Sequence, residues 1–431
     1  MYDVQVTPTR LIHPELAAAI VGGEAGSKTE PARDIVWDSR LVEPGFAFIA
    51  LPGSQHDGEE FVDAALARGA AFAISRQAGP KNIRVNNAYE ALLRLGSWLR
   101  SGMTGPLVAV TGSVGKTSTK EAIRNGLDWP ATPGNLNTPP ALLRFFWNLP
   151  PESAGAVVEL GIDRRGEMDD LLKLTAPDLG VVTAIAPVHL EGIGSLEDVA
   201  REKLRLLEGS RLRLAQSETS IWGLPEGTMT YGFEPGADFA GRNLTLSCRG
   251  TGFEFGGLRL RLQTLGRGAA LAALAALAVA EMLSLDAKTV ADRLEEAAQP
   301  PHRLQVREVG GRLWLDDSYN ASPKALEASL EVLAACPGRK GVVLGTMREL
   351  GAEARKWHLW AVEKVRAVAD GALFVGEYAE EMAHGWENAL AAPDTEVAAE
   401  LVTDWSRDFD TVLLKGSRAL ELERLLEVVG A

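Results

Sequence analysis

The sequence predicts an α/β protein of several domains with mainly parallel sheets. Short runs rich in Val, Leu, Ile and Ala alternate with segments of helical periodicity, which is the pattern of buried strands joined by helices. This alternation favours a doubly wound sheet in the middle of the chain. The length of 431 residues corresponds to two to four domains at roughly 100–200 residues each.

Two short segments predict the domain boundaries. Residues 46–51 predict a strand and residues 60–68 predict a helix. The segment 101–106 that follows consists of small, flexible residues and ends in proline, and this composition favours a domain boundary. A Gln-Pro-Pro-His segment at 299–302 marks the second boundary.

Strands and helices also alternate beyond the first boundary. The predicted strands are 107–110, 156–160, 180–185, 341–344, 373–375 and 411–414. Short alternating segments between 239 and 265 predict a small antiparallel insert, and 306–315 predicts a hairpin that turns at two glycines. Ser322 and Pro323 predict a helix start, with a capping hydroxyl and a proline in the first turn.

The composition excludes several classes of protein. The net charge of −14 makes general binding to nucleic acid or to an anionic membrane surface unfavourable. The most apolar stretch, 269–280, is shorter than the roughly 20 residues of a membrane span and predicts a buried helix. No targeting segment is expected, and two cysteines suit a reducing compartment, so we expect a cytoplasmic protein.

A glycine-rich loop between a predicted strand and a predicted helix is the most informative segment. It consists of Thr111, Gly112, Ser113, Val114, Gly115, Lys116 and Thr117. Such a loop folds around phosphate oxygens, with the lysine reaching the β- and γ-phosphates and the following hydroxyl binding Mg²⁺. Val110 stands where the general pattern has glycine, so this is a variant loop. It predicts ATP binding, but kinases, transporter motors and ligases all use such loops.

Segments along nearly the whole chain carry a resemblance to one family. They are 38–40, 48–51, 57–65, the phosphate loop, 134–137, 159–161, 189–195, 316–323, 345–351 and 414–417. On these segments the chain resembles the Mur ligases, ATP-dependent amide-forming enzymes of peptidoglycan precursor synthesis. The resemblance implies a UDP-substrate-binding domain over 1–104, a central doubly wound P-loop ATP-binding domain over 105–300, and a Rossmann-like C-terminal ligase domain over 301–431.

Within this family, segments 316–323 and 345–351 are typical of the enzymes that add D-alanyl-D-alanine to UDP-N-acetylmuramoyl-tripeptide. The resemblance therefore implies these two substrates, ATP and Mg²⁺, and a role in cell wall biogenesis, cell shape and cell division. From the net charge and the length of the apolar stretch we expect no nucleic acid partner and no integral membrane association, and we expect a monomer.

An amide ligase of this kind transfers the γ-phosphoryl group of ATP to a carboxylate, and an amine then attacks the acyl phosphate. This chemistry needs charge neutralisation around the phosphates and a metal ion. The resemblance implies that Lys116, His189 and Lys203 are catalytic, and that Thr117, Glu159, His189 and Lys203 hold Mg²⁺. Lys203 matches a position that is commonly carbamoylated in the family, a modification that a lowered lysine pKa assists.

The resemblance also assigns binding residues in the outer domains. Arg303 would contact ATP phosphate and Asp317 the ribose hydroxyls, while Tyr319 and Asn320 would lie near the nucleoside. In the first domain, Ser39 and Arg40 would hold the UDP end of the substrate.

Three segments depart from the family pattern. Asn137 is followed by Thr138 and two prolines instead of a second asparagine. Residues Gly268, Ala269 and Ala272 replace polar residues near the adenine, and Thr346 replaces an aspartate. Two alternatives stay open: a related Mur-type ligase with a different acid or amine, and a degenerate, non-catalytic binder of nucleotide or UDP-sugar. The retained phosphate and metal residues favour the enzymes.

Overall fold

The computed structural model describes residues 10–53, 55–187, 190–299, 301–348 and 350–430. These residues form two compact units, which we call the first and the second unit. The first unit contains residues 10–185 and 190–229, and the second contains 186–187 and 230–430.

The first sheet of the first unit is small and mostly parallel. Its strands are β1 (Glu24–Ala25), β2 (Asp34–Val36), β3 (Phe46–Ile49), β4 (Phe72–Ser75) and β5 (Asn82–Arg84). They lie in the order β1-β5-β4-β3-β2, with only β1 antiparallel to its neighbour. The accompanying helices are α1 (Pro14–Val21), α2 (Val62–Ala67) and α3 (Ala88–Ser101). The predicted strand at 46–51 and helix at 60–68 are confirmed.

The second sheet of the first unit is entirely parallel. Its strands are β6 (Leu107–Thr111), β7 (Ala156–Glu159), β8 (Leu179–Val182) and β9 (Leu212–Gln216), in the order β9-β8-β6-β7. The helices are α4 (Lys116–Leu127), α5 (Pro139–Asn148), α6 (Glu167–Thr175), α7 (Leu190–Ile193) and α8 (Leu196–Glu208). The chain passes from β6 to β7 on one side and to β8 on the other. The carboxyl ends of these strands therefore form the switch point at which α/β sheets bind ligands.

Two ion pairs join the two sheets of the first unit. The Asp34 carboxylate on β2 is 4% exposed and accepts hydrogen bonds from Arg144 Nη2 at 2.6 Å and Asn148 Nδ2 at 2.8 Å, both on α5. Arg100 at the end of α3 donates to Asp178 at 2.6 Å. Since a buried carboxylate needs such partners, these contacts fix α3 and α5 against the neighbouring sheet.

The second unit begins with short strands and an antiparallel sheet. Strands β10 (Met229–Gly232) and β11 (Phe239–Ala240) pair in parallel, and β12 (Arg242–Ser247), β13 (Gly250–Phe255) and β14 (Leu258–Leu262) form the antiparallel sheet. Helices α9 (Arg267–Met282) and α10 (Ala287–Glu296) follow. The predicted insert and the predicted buried helix are confirmed.

A six-stranded sheet completes the second unit. Its strands are β15 (Gln305–Val309), β16 (Arg312–Asp317), β17 (Lys340–Gly345), β18 (Gly371–Val375), β19 (Ala389–Ala392) and β20 (Thr411–Lys415), in the order β15-β16-β20-β17-β18-β19. The helices are α11 (Pro323–Ala334), α12 (Ala354–Arg366), α13 (Ala379–Ala383), α14 (Thr395–Ser406) and α15 (Arg424–Gly430). One buried cluster holds side chains of α11, α12 and α13, and another holds those of α14 and α15.

The types of element that the sequence predicts for this region are confirmed. Strands β15 and β16 form the predicted hairpin, and Ser322 caps α11 by accepting a hydrogen bond from Ala325 N. Within the part of the chain that the structure describes, no helix has the length and apolar character that a membrane span requires. Each sheet lies inside one of the three predicted domains, and we retain the limits at 104 and 300 as a proposal.

The contact of Arg144 with Asp34 generates the first prediction. Arg144→Met would leave the Asp34 carboxylate buried with Asn148 as its remaining side-chain partner. We expect a loss of about 2–3 kcal/mol in the free energy of unfolding, below the range for fully buried pairs because Arg144 is one-third exposed. Urea unfolding measures this loss. Arg94→Met is the control, because Arg94 pairs with Glu90 on the surface, and an equal loss in both variants would contradict the assignment.

Candidate active site

The phosphate loop requires glycine at two positions. A Cβ at Gly112 would lie 1.9 Å from Thr183 Oγ1, and Gly115 has a φ of +89° directly before α4. The same Thr183 hydroxyl donates to Val114 O at 2.7 Å. The glycines therefore allow β8 to support the loop closely while the loop turns into the helix.

The loop delivers Lys116 and Thr117 to the carboxyl end of the sheet. Lys116 is the first residue of α4, and its Nζ donates to Gly112 O at 2.8 Å. Thr117 Oγ1 donates to Glu159 Oε2 at 2.8 Å. Glu159 is the last residue of β7, which lies beside β6, and it is 1% exposed. All three residues were predicted from the sequence, and the structure brings them together.

The second oxygen of the Glu159 carboxylate has a partner that sequence analysis did not assign. Asn137 Nδ2 donates to Glu159 Oε1 at 3.0 Å. A Cβ at Gly161 would lie 2.5 Å from Asn137 Nδ2, so this glycine makes room for the amide. The Glu159 backbone N–H donates to Thr132 Oγ1 at 3.1 Å. The signal for Asn137 was its place in the 134–137 segment, but no sequence pattern pairs it with Glu159.

Lys203 completes this group of charges from α8. Its side chain is 1% exposed, and burial lowers the pKa of Lys203 to about 7; the positive charge of Lys116 acts in the same direction. Asp163 and Glu159 oppose this shift in the pKa of Lys203. A substantial fraction of the amine is therefore neutral near pH 7, which is the reactive form of a lysine.

The donor set fits a hard divalent cation. Thr117 and Glu159 present oxygen atoms, which Mg²⁺ prefers, at the loop where phosphate oxygens would complete the coordination. His189 lies outside the described residues. Among the residues that are described, His, Cys, Asp and Glu side chains do not form a group of three suited to a metal.

In the second unit, Asp317 holds the backbone next to Arg303 by a hydrogen bond. Asp317 Oδ1 accepts from Leu304 N at 3.2 Å, and its Oδ2 accepts from Ser329 Oγ at 2.6 Å and from the buried Lys415 ammonium. The residues on both sides of Arg303 have positive φ values, +59° at His302 and +50° at Leu304. The hydrogen bond from Leu304 N to Asp317 offsets the strain of the backbone at Leu304.

The other predicted residues of the second unit lie close by. The Arg303 guanidinium lies 4.2 Å from the centre of the Tyr319 ring, a distance typical of a cation–π contact. Asn320 O accepts from Lys415 Nζ at 3.1 Å. Sequence analysis did not assign Lys415. Both oxygens of Asp317 already accept hydrogen bonds within the protein, and its contact with a ribose stays a prediction.

In the first unit, Ser39 and Arg40 lie in a short helical turn after β2. Arg40 pairs with Asp38 at 2.7 Å and is 86% exposed. This contact lowers the pKa of Asp38, so the carboxylate stays charged and orients the guanidinium. Binding of a UDP group by Ser39 and Arg40 stays a prediction.

The segments that depart from the family pattern are ordinary parts of the fold. Gly268 and Ala269 lie in the first turn of α9, where Gly268 is exposed, and Ala272 is buried one turn later. Thr346 follows β17 and donates through its backbone N–H to Val375 O at 3.0 Å. Two prolines begin α5.

Three family models match successive parts of this chain. They describe the Mur ligase family catalytic domain over residues 33–99, the Mur ligase middle domain over 110–280, and the Mur ligase glutamate ligase domain over 302–418. Together they match most of the length of the chain. The chain belongs to the Mur ligase family.

Curated relatives point to one reaction within this family. The UDP-N-acetylmuramoyl-tripeptide–D-alanyl-D-alanine ligase of Escherichia coli (strain K12) is 31% identical over 95% of this chain and 96% of its own length. The ligase of the same name from Bacillus subtilis (strain 168) is 27% identical over 91% of this chain and 92% of its own length. The similarity thus extends over more than nine-tenths of each relative and is not confined to the phosphate loop.

Solved structures give the same result for the fold. MurF from Acinetobacter baumannii superposes with a TM-score of 0.89 at 25% identity, covering 98% of this chain and 99% of that one. The MurF ligase from Thermotoga maritima in complex with ADP has a TM-score of 0.83 at 29% identity, covering 92% and 97%. The resemblance seen in the sequence is confirmed.

The lowered pKa of Lys203 generates a prediction about stability. Between pH 7 and about 10, unfolded Lys203 is protonated and folded Lys203 is neutral, so the unfolded state binds more protons and stability rises with pH. This residue should add up to about 1.4 kcal/mol per pH unit to that rise. We expect Lys203→Met to remove the added slope in urea unfolding between pH 7.5 and 9.5, in solution purged of CO₂.

Lys173→Met is the matched control, because Lys173 lies exposed on α6 beside Asp170, which raises the pKa of Lys173. Its slope should match that of the unmodified protein. Equal slopes for all three proteins would contradict a lowered pKa at Lys203.

Proposed function

We propose that this protein is an ATP-dependent ligase that joins D-alanyl-D-alanine to the terminal carboxylate of UDP-N-acetylmuramoyl-tripeptide. It acts in the cytoplasm, in the synthesis of peptidoglycan precursors. One cluster of side chains carries the proposal. Thr117 donates a hydrogen bond to the buried Glu159 carboxylate, beside the amines of Lys116 and Lys203. Full-length similarity to ligases named for this reaction supports the choice of substrates.

The reaction has two chemical steps. A carboxylate oxygen of the tripeptide attacks the γ-phosphorus of ATP, the bond to the β-phosphate oxygen breaks, and ADP leaves. The amine of D-alanyl-D-alanine then attacks the acyl phosphate, loses a proton, and displaces inorganic phosphate. Positive charge close to the transferring group stabilises the first step, and Lys116 lies at the loop that would hold that group.

Thr117 and Glu159 would hold Mg²⁺, together with Lys203 and His189 as the family pattern implies. When bound, Mg²⁺ neutralises phosphate charge. The neutral Lys203 amine would add to CO₂ and release a proton, which gives an anionic carbamate whose oxygens suit a second metal ion. The pKa of about 7 at Lys203 supports this step, because the neutral amine is the nucleophile.

The outer residues would bind the ends of the substrates. Arg303 is a fixed positive charge for ATP phosphate, and Asp317, Tyr319 and Asn320 are proposed near the nucleoside. Ser39 and Arg40 would hold the UDP group. We further propose the domain limits 1–104, 105–300 and 301–431, with the protein acting as a monomer.

The test of the proposal is a ligation assay. Purified protein is incubated with ATP, Mg²⁺, UDP-N-acetylmuramoyl-tripeptide and D-alanyl-D-alanine, and the product is detected by mass. We expect the mass of the amide, with one ADP released for each bond. Turnover only with another acid or amine would identify a related ligase instead. Nucleotide binding without phosphate release for any pair of substrates would identify a non-catalytic binder.

Lys116→Ala tests the phosphate loop. The variant loses a charge beside the transferring phosphoryl group, so we expect turnover to fall by at least about 10²-fold, the effect of one preorganised electrostatic donor. Steady-state ligation with a matched melting curve measures this. Lys173→Ala, on the surface of α6, should retain full turnover. A folded Lys116→Ala protein with near-normal turnover would refute the assignment.

Lys203→Ala tests the carbamate. The substitution removes the amine and leaves a buried space, so we expect turnover to be lost and partly restored by formate or acetate. Turnover is measured against the concentration of added acid, with chloride at equal ionic strength as the control. Full turnover without any acid would exclude a carbamate at this position.

The apolar first turns of α9 lead to a prediction about the choice of nucleotide. Sites that hydrogen-bond a substrate discriminate strongly, whereas apolar sites do not, and Gly268, Ala269 and Ala272 offer no polar side chain. We expect a preference for ATP over GTP well below about 10⁴-fold in kcat/KM, measured under equal Mg²⁺. A stronger preference would place base recognition elsewhere.

A further inference from the structure

Lys120 is a fully buried cation that has no place in the chemistry described above. It lies on α4, one turn after Lys116, and its side chain is 0% exposed. Its Nζ donates to Thr132 O and to Gly134 O, both at 2.6 Å, and lies 3.1 Å from Glu121 Oε1. Burial of a lysine is unfavourable unless its charge and donors are matched, and here two backbone carbonyls and a carboxylate match them.

The two carbonyls belong to the segment that orients Glu159. We call residues 132–137 the bridging segment. At its start, Thr132 Oγ1 accepts from the Glu159 backbone N–H at 3.1 Å. At its end, Asn137 Nδ2 donates to Glu159 Oε1 at 3.0 Å. The segment therefore holds Glu159 at two points, and the Lys120 ammonium holds the segment itself at Thr132 and Gly134.

These hydrogen bonds link Lys120 to Thr117 indirectly, through the bridging segment and Glu159. With Glu159 Oε1 fixed by Asn137, the other oxygen of the carboxylate points to Thr117 Oγ1, 2.8 Å away. Both Lys120 and Thr117 lie on α4, so the same helix fixes the hydroxyl and, through the bridging segment, the carboxylate. Groups that orient a metal ligand from outside typically change metal affinity by roughly 10–100-fold when they are removed.

We infer that Lys120 is a positioning residue that holds the bridging segment so that Glu159 and Thr117 together bind the divalent cation of the nucleotide. This inference rests on the proposed function. A mere packing role would be served by an apolar side chain of similar length, whereas the inferred role needs an ammonium that reaches both carbonyls.

Lys120→Met keeps the length of the side chain and removes the donors. Binding of a non-hydrolysable ATP analogue is measured by calorimetry, once with saturating Mg²⁺ and once with a chelator. In the unmodified protein we expect Mg²⁺ to tighten binding. In Lys120→Met we expect the ratio of the affinity with Mg²⁺ to the affinity without Mg²⁺ to fall by at least about 10-fold. The affinity without Mg²⁺ should stay nearly unchanged.

Two further variants separate positioning from stability. Arg124→Met is the matched control, since Arg124 lies one turn later on α4, is half-exposed, and contacts only Glu121 and Asn125 through its described side-chain bonds. It should bind like the unmodified protein. Lys120→Arg keeps a charge that can donate to two carbonyls, and should restore part of the Mg²⁺ effect.

Hydrogen exchange gives a readout that is independent of activity. Amides of the bridging segment and the Glu159 amide should exchange faster in Lys120→Met, while those of α8 should not change. Asn137→Ala should lose the Mg²⁺ effect but keep Thr132 and Glu159 protected, because Lys120 still holds the segment.

The outcomes distinguish the inference from the function on which it rests. If Mg²⁺ has no effect on binding to the unmodified protein, the proposed metal site fails. If Mg²⁺ acts equally on the unmodified protein and on folded Lys120→Met, only the role of Lys120 is overturned. If neither Lys120 variant folds, Lys120 serves the fold and the inference is also overturned.

Discussion

The Glu159 carboxylate is buried at the end of β7 and shared between two donors, and the arrangement of the active site depends on it. One oxygen accepts from Thr117 and the other from Asn137. A buried carboxylate without such donors is strongly disfavoured, so the positions of α4 and of the bridging segment are linked to one another through this group. The crossover from β6 to β7 and back to β8 provides the place where these elements meet.

Burial and the charges around this carboxylate explain the state of Lys203. Burial is the main cause that lowers the pKa of Lys203 to about 7, and repulsion by the positive charge of Lys116 adds to it, against the opposite effect of Asp163 and Glu159. The same charges suit a phosphate group, whose negative charge would relieve the repulsion. In the second unit, Asp317 pairs with the buried Lys415 ammonium and accepts from the backbone N–H of Leu304, the residue after Arg303.

Local patterns in the sequence predicted much of this structure. The strands and helices follow from the alternation of apolar runs and helical periodicity, and the phosphate loop is visible because its residues are consecutive. Lys120 and Lys415 were not assigned, because their partners lie 12 and 98 residues away along the chain. The pairing of Asn137 with Glu159 likewise depends on how a loop returns to a strand, which no periodicity encodes.

We propose that the site activates a carboxylate as an acyl phosphate. The decisive experiment labels the terminal carboxylate of UDP-N-acetylmuramoyl-tripeptide with ¹⁸O. The phosphate released during ligation is then analysed by mass. We expect each phosphate to carry one oxygen from the carboxylate, because that oxygen attacks the γ-phosphorus. Product formed with unlabelled phosphate would contradict it, because the carboxylate oxygen would never have been bonded to phosphorus.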